Sequence, residues 1–465
     1  MNAVVPMPAV RPMVGRRSVA ARRRDDLLGR VHLAVRLTRR SLKAAVAAEE
    51  ESAEERSATN GPDRPAALVL GKVVGEAAML LRTTAPLRGE DETLDVEARL
   101  LAVQLVAQAR GPRVRERLCN DAGCALEHAS AHLFLGDAGY PDGAFDRLLR
   151  EFLDGNEACG PERLPNHQLE CAWLDQIRRG RVDVEPIDEE LLMSTCIAWP
   201  LDVLGCSTLD LYLFTHVVMY ASDMGRRPVH LPRPVAEILA EAEAGLAAAL
   251  DADNFDLAAE LLWTWPMLRQ PWSPVAAFAF DVLARVQDEQ AFLPGPDYAQ
   301  WAEQVGHGLA HEDVVMRTSY HATLVMGMLC AVALQSGMAL PSALPLAARP
   351  HSMGHGAGVD LLDRLPPRAL VPRWQRDLLV LEARERAALS SLCFSVWFRR
   401  AAAANDIARL RDALAATLEH DDSDGPSAHQ ALRRLQRITA IGRLQAETMA
   451  SRCMAPSPAC GRGQG

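Results

Sequence analysis

The sequence predicts an all-α protein: an α/α toroid or helical-repeat-like body with a disordered N-terminal arm and a C-terminal helical segment. Three observations carry this. From about residue 66 to 340, apolar residues recur at spacings of three and four, the period of one helical face. No convincing stretch alternates with the period of two that a half-buried strand requires. The segments are joined by short links marked with Pro and Gly, and no repeat of roughly 34 or 40 residues like those of tetratricopeptide or HEAT arrays runs through them, which favours a closed ring over an open solenoid.

Residues 1–60 read as an arm. Arg11, Arg16, Arg17, Arg22, Arg23 and Arg24 stand among Pro6, Pro8 and Pro12 without an acid, a composition that does not pack. Beyond them, DDLLGRVHLAVRLTRRSLKAAVAAEEESAEERS spaces Leu28, Val31 and Val35 as on a helix and reverses charge along its length. It is expected as a solvated or loosely docked helix, dispensable for folding. NGPDRP then marks a break, and 61–340 forms the main helical domain. Within it Ser207 or Thr208, Asp253 or Asn254, and Ser273 followed by Pro274 supply helix starts. A Pro- and Gly-rich stretch, 341–372, is expected as a surface loop or linker. Residues 373–450 return to helical spacing, and 451–465 have the composition of a disordered tail.

The charge balance narrows the partners. With 50 Lys and Arg against 60 Asp and Glu, a net charge of −10 and a pI of about 5.8, the chain lacks the basic surface that holds a polyanion, so nucleic acid is not expected. Apolar runs around 211–221 and 322–334 are shorter than the roughly 18–20 residues a bilayer span needs, so no membrane association is expected. The 10 cysteines form no CxxC pair, and Cys171, Cys196, Cys330 and Cys393 sit in apolar helical text, as suits reduced thiols of a cytoplasmic protein.

Ionisable side chains on otherwise apolar helices single out a site, because burying them is costly unless they are paired, hydrogen-bonded or metal-bound. His167 and Glu170 in PNHQLECAWL are three apart. His216, Tyr220 and Asp223 in LYLFTHVVMYASD are spaced four and three. Tyr320 and His321 open YHATLVMGMLCAVAL. Each set shares one helical face. His128 and His132 have ligand-like spacing, and partial burial is expected for His132. His307 with His311 reads as a loop position, and His351 with His355 falls in the Gly-rich linker. None of these pairs carries the Glu of an HExxH protease. Trp263, Trp265, Trp272, Phe278 and Phe280 read as core packing. Walker, GxGxxG and GxSxG signatures are absent, so nucleotide-driven chemistry and serine hydrolysis lack support.

The phrases FLGDAGYPDGAFDRLLREFL, ERLPNHQLECAWL, PLDVLGCSTLDLYLFTHVVMYASDMGR, FDLAAELLWTWPMLRQPWSPVAAFAFDVLARV and TSYHATLVMGMLCAVAL resemble those of a poorly characterised bacterial helical family of α/α-toroid type, often associated with peptide natural-product genes. The resemblance covers roughly residues 125–335. It implies that His132, His167, Glu170, His216, Asp223 and His321 occupy recurrent polar positions. A MetGly follows Asp223 where PheGly is the expected pair.

The resulting expectation is a metal-dependent enzyme that modifies a peptide or small natural-product precursor in an inner helical cavity. His132, His167, His216, Asp223 and His321 are the candidate ligands of a divalent zinc, iron or manganese ion. Glu170, Tyr220 and Tyr320 are the candidate proton-transfer groups. The alternative is a non-catalytic helical module that holds a peptide or partner protein. Substrate, reaction type and oligomeric state are left open by the sequence.

Overall fold

The computed structural model describes residues 19–54, 69–154, 162–180, 187–305, 310–338, 344–345, 357–368, 370–419 and 424–454. Its regular elements are α-helices and short 3-10 turns, with no strand among the described residues. No described helix is long and apolar enough to cross a membrane.

Seven helices position the site: α1 (Val19–Glu54), α2 (Leu70–Thr84), α3 (Ser130–Asp137), α4 (Pro165–Arg179), α5 (Thr208–Ala221), α6 (Phe255–Met267) and α7 (Tyr320–Gln335). Their starts follow local chemistry. Ser207 caps α5 in a reciprocal box with Asp210, the Asn254 side chain accepts from Leu257 N at the head of α6, and Pro165 opens α4 where its missing N–H costs nothing. Ser273 likewise caps the Pro274–Gln290 helix.

Six of these helices pack in a cycle: α2 on α3, α3 on α4, α4 on α5, α5 on α6, α6 on α7, and α7 back on α2. They run parallel. Near their N-termini, Glu76 on α2 meets His321 on α7, and Tyr212 on α5 meets Asp256 on α6. Near their C-termini, Gln335 on α7 donates to the Thr83 carbonyl on α2 at 2.6 Å, and the chain leaving α5 meets α2 through Met224 and Thr83. Gly225 closes this end with a φ of 79°. A Cβ there would lie 3.0 Å from Met267 Cα on α6 and 3.1 Å from a Val332 methyl on α7, so only glycine allows both the turn and the approach. Helices Glu92–Ala109, Val235–Asp251 and Pro274–Gln290 pack outside this ring on α2 or α6.

Of the segment read as an arm, largely disordered or one loose helix, the described part is a helix that docks on the body. Residues 19–54 form one helix whose Leu27, Val31, Ala34, Val35, Leu42 and Ala45 are fully buried, against α7 and α2. The spacing of these residues repeats every three and four positions over five turns, a stripe longer than the three residues that signalled it in sequence. Residues 1–18 lie outside the described residues. The α1–α7 crossing is close because Gly327 faces Ala34, and a Cβ built on Gly327 would come within 2.2 Å of the Ala34 Cβ. Gly327→Val should force the two helices apart, cost about 1–3 kcal/mol as overpacking does, and lower the melting temperature by a corresponding amount.

The expected linker also contains structure. Ala357–Arg364 is helical, with Leu361 buried, and packs on the Ser390–Ala403 helix. The rest of that stretch lies mostly outside the described residues, as do His351 and His355. The helices from Arg373 to Met454 pack on the body, where Arg400 binds the Asp251 carboxylate at 2.6 and 3.0 Å. Of the cysteines read as core, Cys330 and Cys393 are buried, Cys171 is half-buried and Cys196 is exposed on a 3-10 turn.

Candidate functional site

A partly open cavity of about 460 Å³ is lined from α2, α5, α6 and α7. Most of its charged groups fall in the first two turns of these helices, with His216 and Tyr220 further along α5. Asp256 and Glu260 are four apart on one face of α6, Glu76 stands in the second turn of α2, and His321 opens α7. One donor atom from each of Asp256, Glu260 and His321 lies within 4.8 Å of the other two.

Asp256 and Glu260 each have one oxygen held by a hydroxyl, whereas the buried Nδ1 of His321 has a carboxylate nearby but no hydrogen bond. The Tyr212 hydroxyl donates to Asp256 Oδ2 at 2.6 Å, and Asp256 Oδ1 is buried with no hydrogen-bond partner. The Thr215 hydroxyl donates to Glu260 Oε2 at 2.7 Å, while Glu260 Oε1 lies 3.8 Å from His321 Nε2. His321 Nδ1 lies 3.2 Å from Glu76 Oε1, and its Nε2 is 3.7 Å from Asp256 Oδ1. Glu76 is itself held by the Tyr320 hydroxyl at 2.8 Å and by Lys72 at 3.6 Å. His216 Nε2 approaches Glu260 Oε2 at 3.5 Å. The inward atoms are therefore Asp256 Oδ1, Glu260 Oε1 and His321 Nε2, the nitrogen lying 3.7 and 3.8 Å from the two oxygens.

The electrostatics follow from burial and crowding. Burial opposes the charge of Glu260, but His216 and His321 together hold its carboxyl down at about 2. Asp256 moves the other way, because burial and the neighbouring Glu260 disfavour a further negative charge despite the pull of His321. Burial disfavours the His321 imidazolium, yet Asp256, Glu76 and Glu260 raise it well above the usual histidine range. His216 is raised by Glu260 and Glu170 against the same burial cost. Two adjacent carboxylates pushed in opposite directions divide the roles of proton holder and permanent anion.

These directions set a pH dependence for the metal-free protein. His216 and His321 have folded values above their unfolded value of about 6.5, so their stabilisation is complete below that pH and is lost as pH rises through the raised values. Glu260 contributes above its unfolded value of about 4.3 and loses that contribution as pH falls towards 2. In the presence of a chelator, the melting-temperature difference between wild type and His321→Asn should be largest between about pH 4.5 and 6.5 and shrink towards pH 9. A difference that grows with pH would contradict the sign.

The residues singled out in sequence divide. His216, Tyr220 and His321 line the cavity. Glu170 adjoins it, with its carboxyl hydrogen-bonded to Tyr220 and raised mainly by burial. Tyr320 reaches it through Glu76 rather than by lining it. His167 is exposed on α4, one turn from Glu170. His132 lies apart: Arg110 Nε donates to its Nδ1 at 2.9 Å, and its Nε2 meets Asp146 at 2.8 Å, so both ring nitrogens are taken. Asp223 is taken too, by the Arg82 guanidinium at 2.7 and 3.0 Å and by Trp173 Nε1 at 2.7 Å, beyond the C-terminus of α5. That network ties α2, α4 and α5 together at the far end of the ring. His128 pairs with Asp121, and His311 opens a short helix beside Tyr298, while His307 lies outside the described residues. Trp265 and Trp272 stack as core, as expected, but Trp263 faces the cavity.

Sequence reasoning missed Glu76, Tyr212, Asp256 and Glu260. The signal was present in FDLAAELL, where two acids four apart interrupt an apolar helix, but that phrase was read only for its cap.

No curated protein and no solved structure is significantly similar to the chain. The sequence profile of the DUF6895 domain of unknown function matches residues 39–331, which covers α2 to α6 entirely and α7 through Ala331, together with every residue of the cluster. With more than half of its length inside that match, the chain belongs to the DUF6895 family.

Proposed function

We propose that the ring cavity is the site of a divalent metal-dependent enzyme, with Asp256, Glu260 and His321 as the protein ligands. One observation carries the reading: three donor atoms converge, while hydroxyls of Tyr212 and Thr215 already hold the outer oxygens of Asp256 and Glu260 and Glu76 Oε1 stands 3.2 Å from His321 Nδ1. A metal–donor distance of about 2.1 Å places tetrahedral donors about 3.4 Å apart, so the 3.7 and 3.8 Å separations from His321 Nε2 need to close by only a few tenths of an ångström. The buried, unpartnered Asp256 Oδ1 is then satisfied. Glu76 on the far nitrogen of His321 repeats the carboxylate–histidine arrangement that orients ligating imidazoles. Oxygen and imidazole donors suit zinc, manganese or iron(II).

When bound, such an ion supplies Lewis acidity to a substrate oxygen. The chain's own residues do the rest. His216 stands between Glu260 and Glu170 and exchanges a proton with the reacting group. Glu170, kept protonated to higher pH by burial, shares that proton with Tyr220. The substrate is a small molecule or a group projecting from a peptide, since the cavity holds no more. Metal analysis of the purified protein tests the reading: about one equivalent of zinc, manganese or iron, retained or taken up on titration, is expected. Less than about a tenth of an equivalent, with no uptake, would leave a non-catalytic binding module.

A further inference from the structure

The cavity changes character along the ring axis. Because the ring helices run parallel, position along each chain is depth. Glu76, Asp256, Glu260 and His321 occupy the first two turns of their helices and His216 the third turn of α5, and beyond them α2, α5, α6 and α7 contribute Met79, Met219, Trp263, Met267, Val325 and Met328. From Glu260 to Met267 the helix advances seven residues, about 10 Å. The Arg82–Asp223–Trp173 network lies at the C-terminal end of these helices, past the apolar walls. Among the inner wall residues, Tyr220 carries a hydroxyl that faces Glu170, and Trp263 carries a buried indole N–H with no hydrogen-bond partner. Thioethers are flexible and polarisable, so this wall adapts to apolar groups of differing shape.

We infer that the ligand of this cavity is an amphiphile: an oxygen-bearing head at the Asp256–Glu260–His321 cluster, and an apolar tail in the methionine-walled chamber beneath it. The head placement rests on the metal-dependent reading above. The tail placement rests on the walls alone. A charged tail is excluded by desolvation, since no charged side chain lines the chamber to pair with it.

Butyl, hexyl and octyl hydroxamic acids, titrated calorimetrically into the full-length zinc-loaded protein, test this. Affinity should rise about fourfold per methylene, the factor given by about 0.8 kcal/mol for each buried CH₂. Met79 is half-buried and faces the space, so Met79→Trp should fill it. That variant should bind zinc as wild type does and lose the rise in affinity from the butyl to the octyl compound. Met79→Phe, with a partial effect and helicity checked by circular dichroism, serves if the tryptophan variant does not fold. Zinc-dependent binding that is indifferent to chain length would overturn the chamber and leave the metal centre standing. If no zinc is taken up, butanol, hexanol and octanol titrated into the metal-free protein decide the chamber alone. The same chain-length rise, lost in Met79→Trp, supports it, and its absence overturns it.

Discussion

A chain beginning at residue 55 should fail to give a cooperatively melting protein. Leu27, Val31, Val35 and Leu42 of α1 are at most 1 % exposed, and full burial of each such side chain contributes about 1.5–3 kcal/mol. Four of them alone represent a gross contribution of about 6–12 kcal/mol, comparable with the whole stability of an ordinary domain. Removing α1 also uncovers the outer face of α7, whose inner face carries His321, so the site would be lost with the fold. Circular dichroism melting of the full chain and of the truncated chain checks this. A truncated protein that melts as sharply and as high as the full chain would show that α1 is only an appendage.

Glu260→Ala should weaken zinc or manganese binding by more than about 100-fold, because it removes a ligand rather than a residue that merely orients one. It also takes away the carboxylate that faces both His216 and His321, so their raised protonation falls back. Asp223→Ala should behave oppositely. Breaking its buried pair with Arg82 costs about 3–5 kcal/mol, with the lower end expected because Asp137 remains on Arg82 at 2.8 Å, and metal affinity should be unchanged in the folded fraction. Calorimetric metal titration and thermal melting of the two variants separate the roles. Equal metal affinity in Glu260→Ala and wild type would remove Glu260 from the centre.

The helical class, the caps at Ser207, Asn254 and Ser273, and the placement of His216, Tyr220 and His321 at one cavity were all legible in sequence, because capping and same-face spacing are local properties. The division among the remaining candidates was not local. His132 and Asp223 look like ligands from their residue type, but Arg110, Asp146, Arg82 and Trp173 claim them from helices distant in sequence. Asp256 and Glu260 were not singled out, because only the packing of α6 on α7 brings His321 opposite them. The packing of α1 was hidden by its charge: Arg30 is buried, and Gln287, Asp26 and Asp288 bind its terminal nitrogens, so a strongly charged helix packs against the body.

Anomalous diffraction from crystals grown with manganese or zinc tests the metal centre most directly. A single strong peak is expected about 2.0–2.2 Å from Asp256 Oδ1, Glu260 Oε1 and His321 Nε2, with Tyr212 and Thr215 still holding the outer oxygens and Glu76 facing His321 Nδ1. No peak among these three residues, or a peak only beside other histidines such as His132 or His128, would contradict a metal centre in the ring.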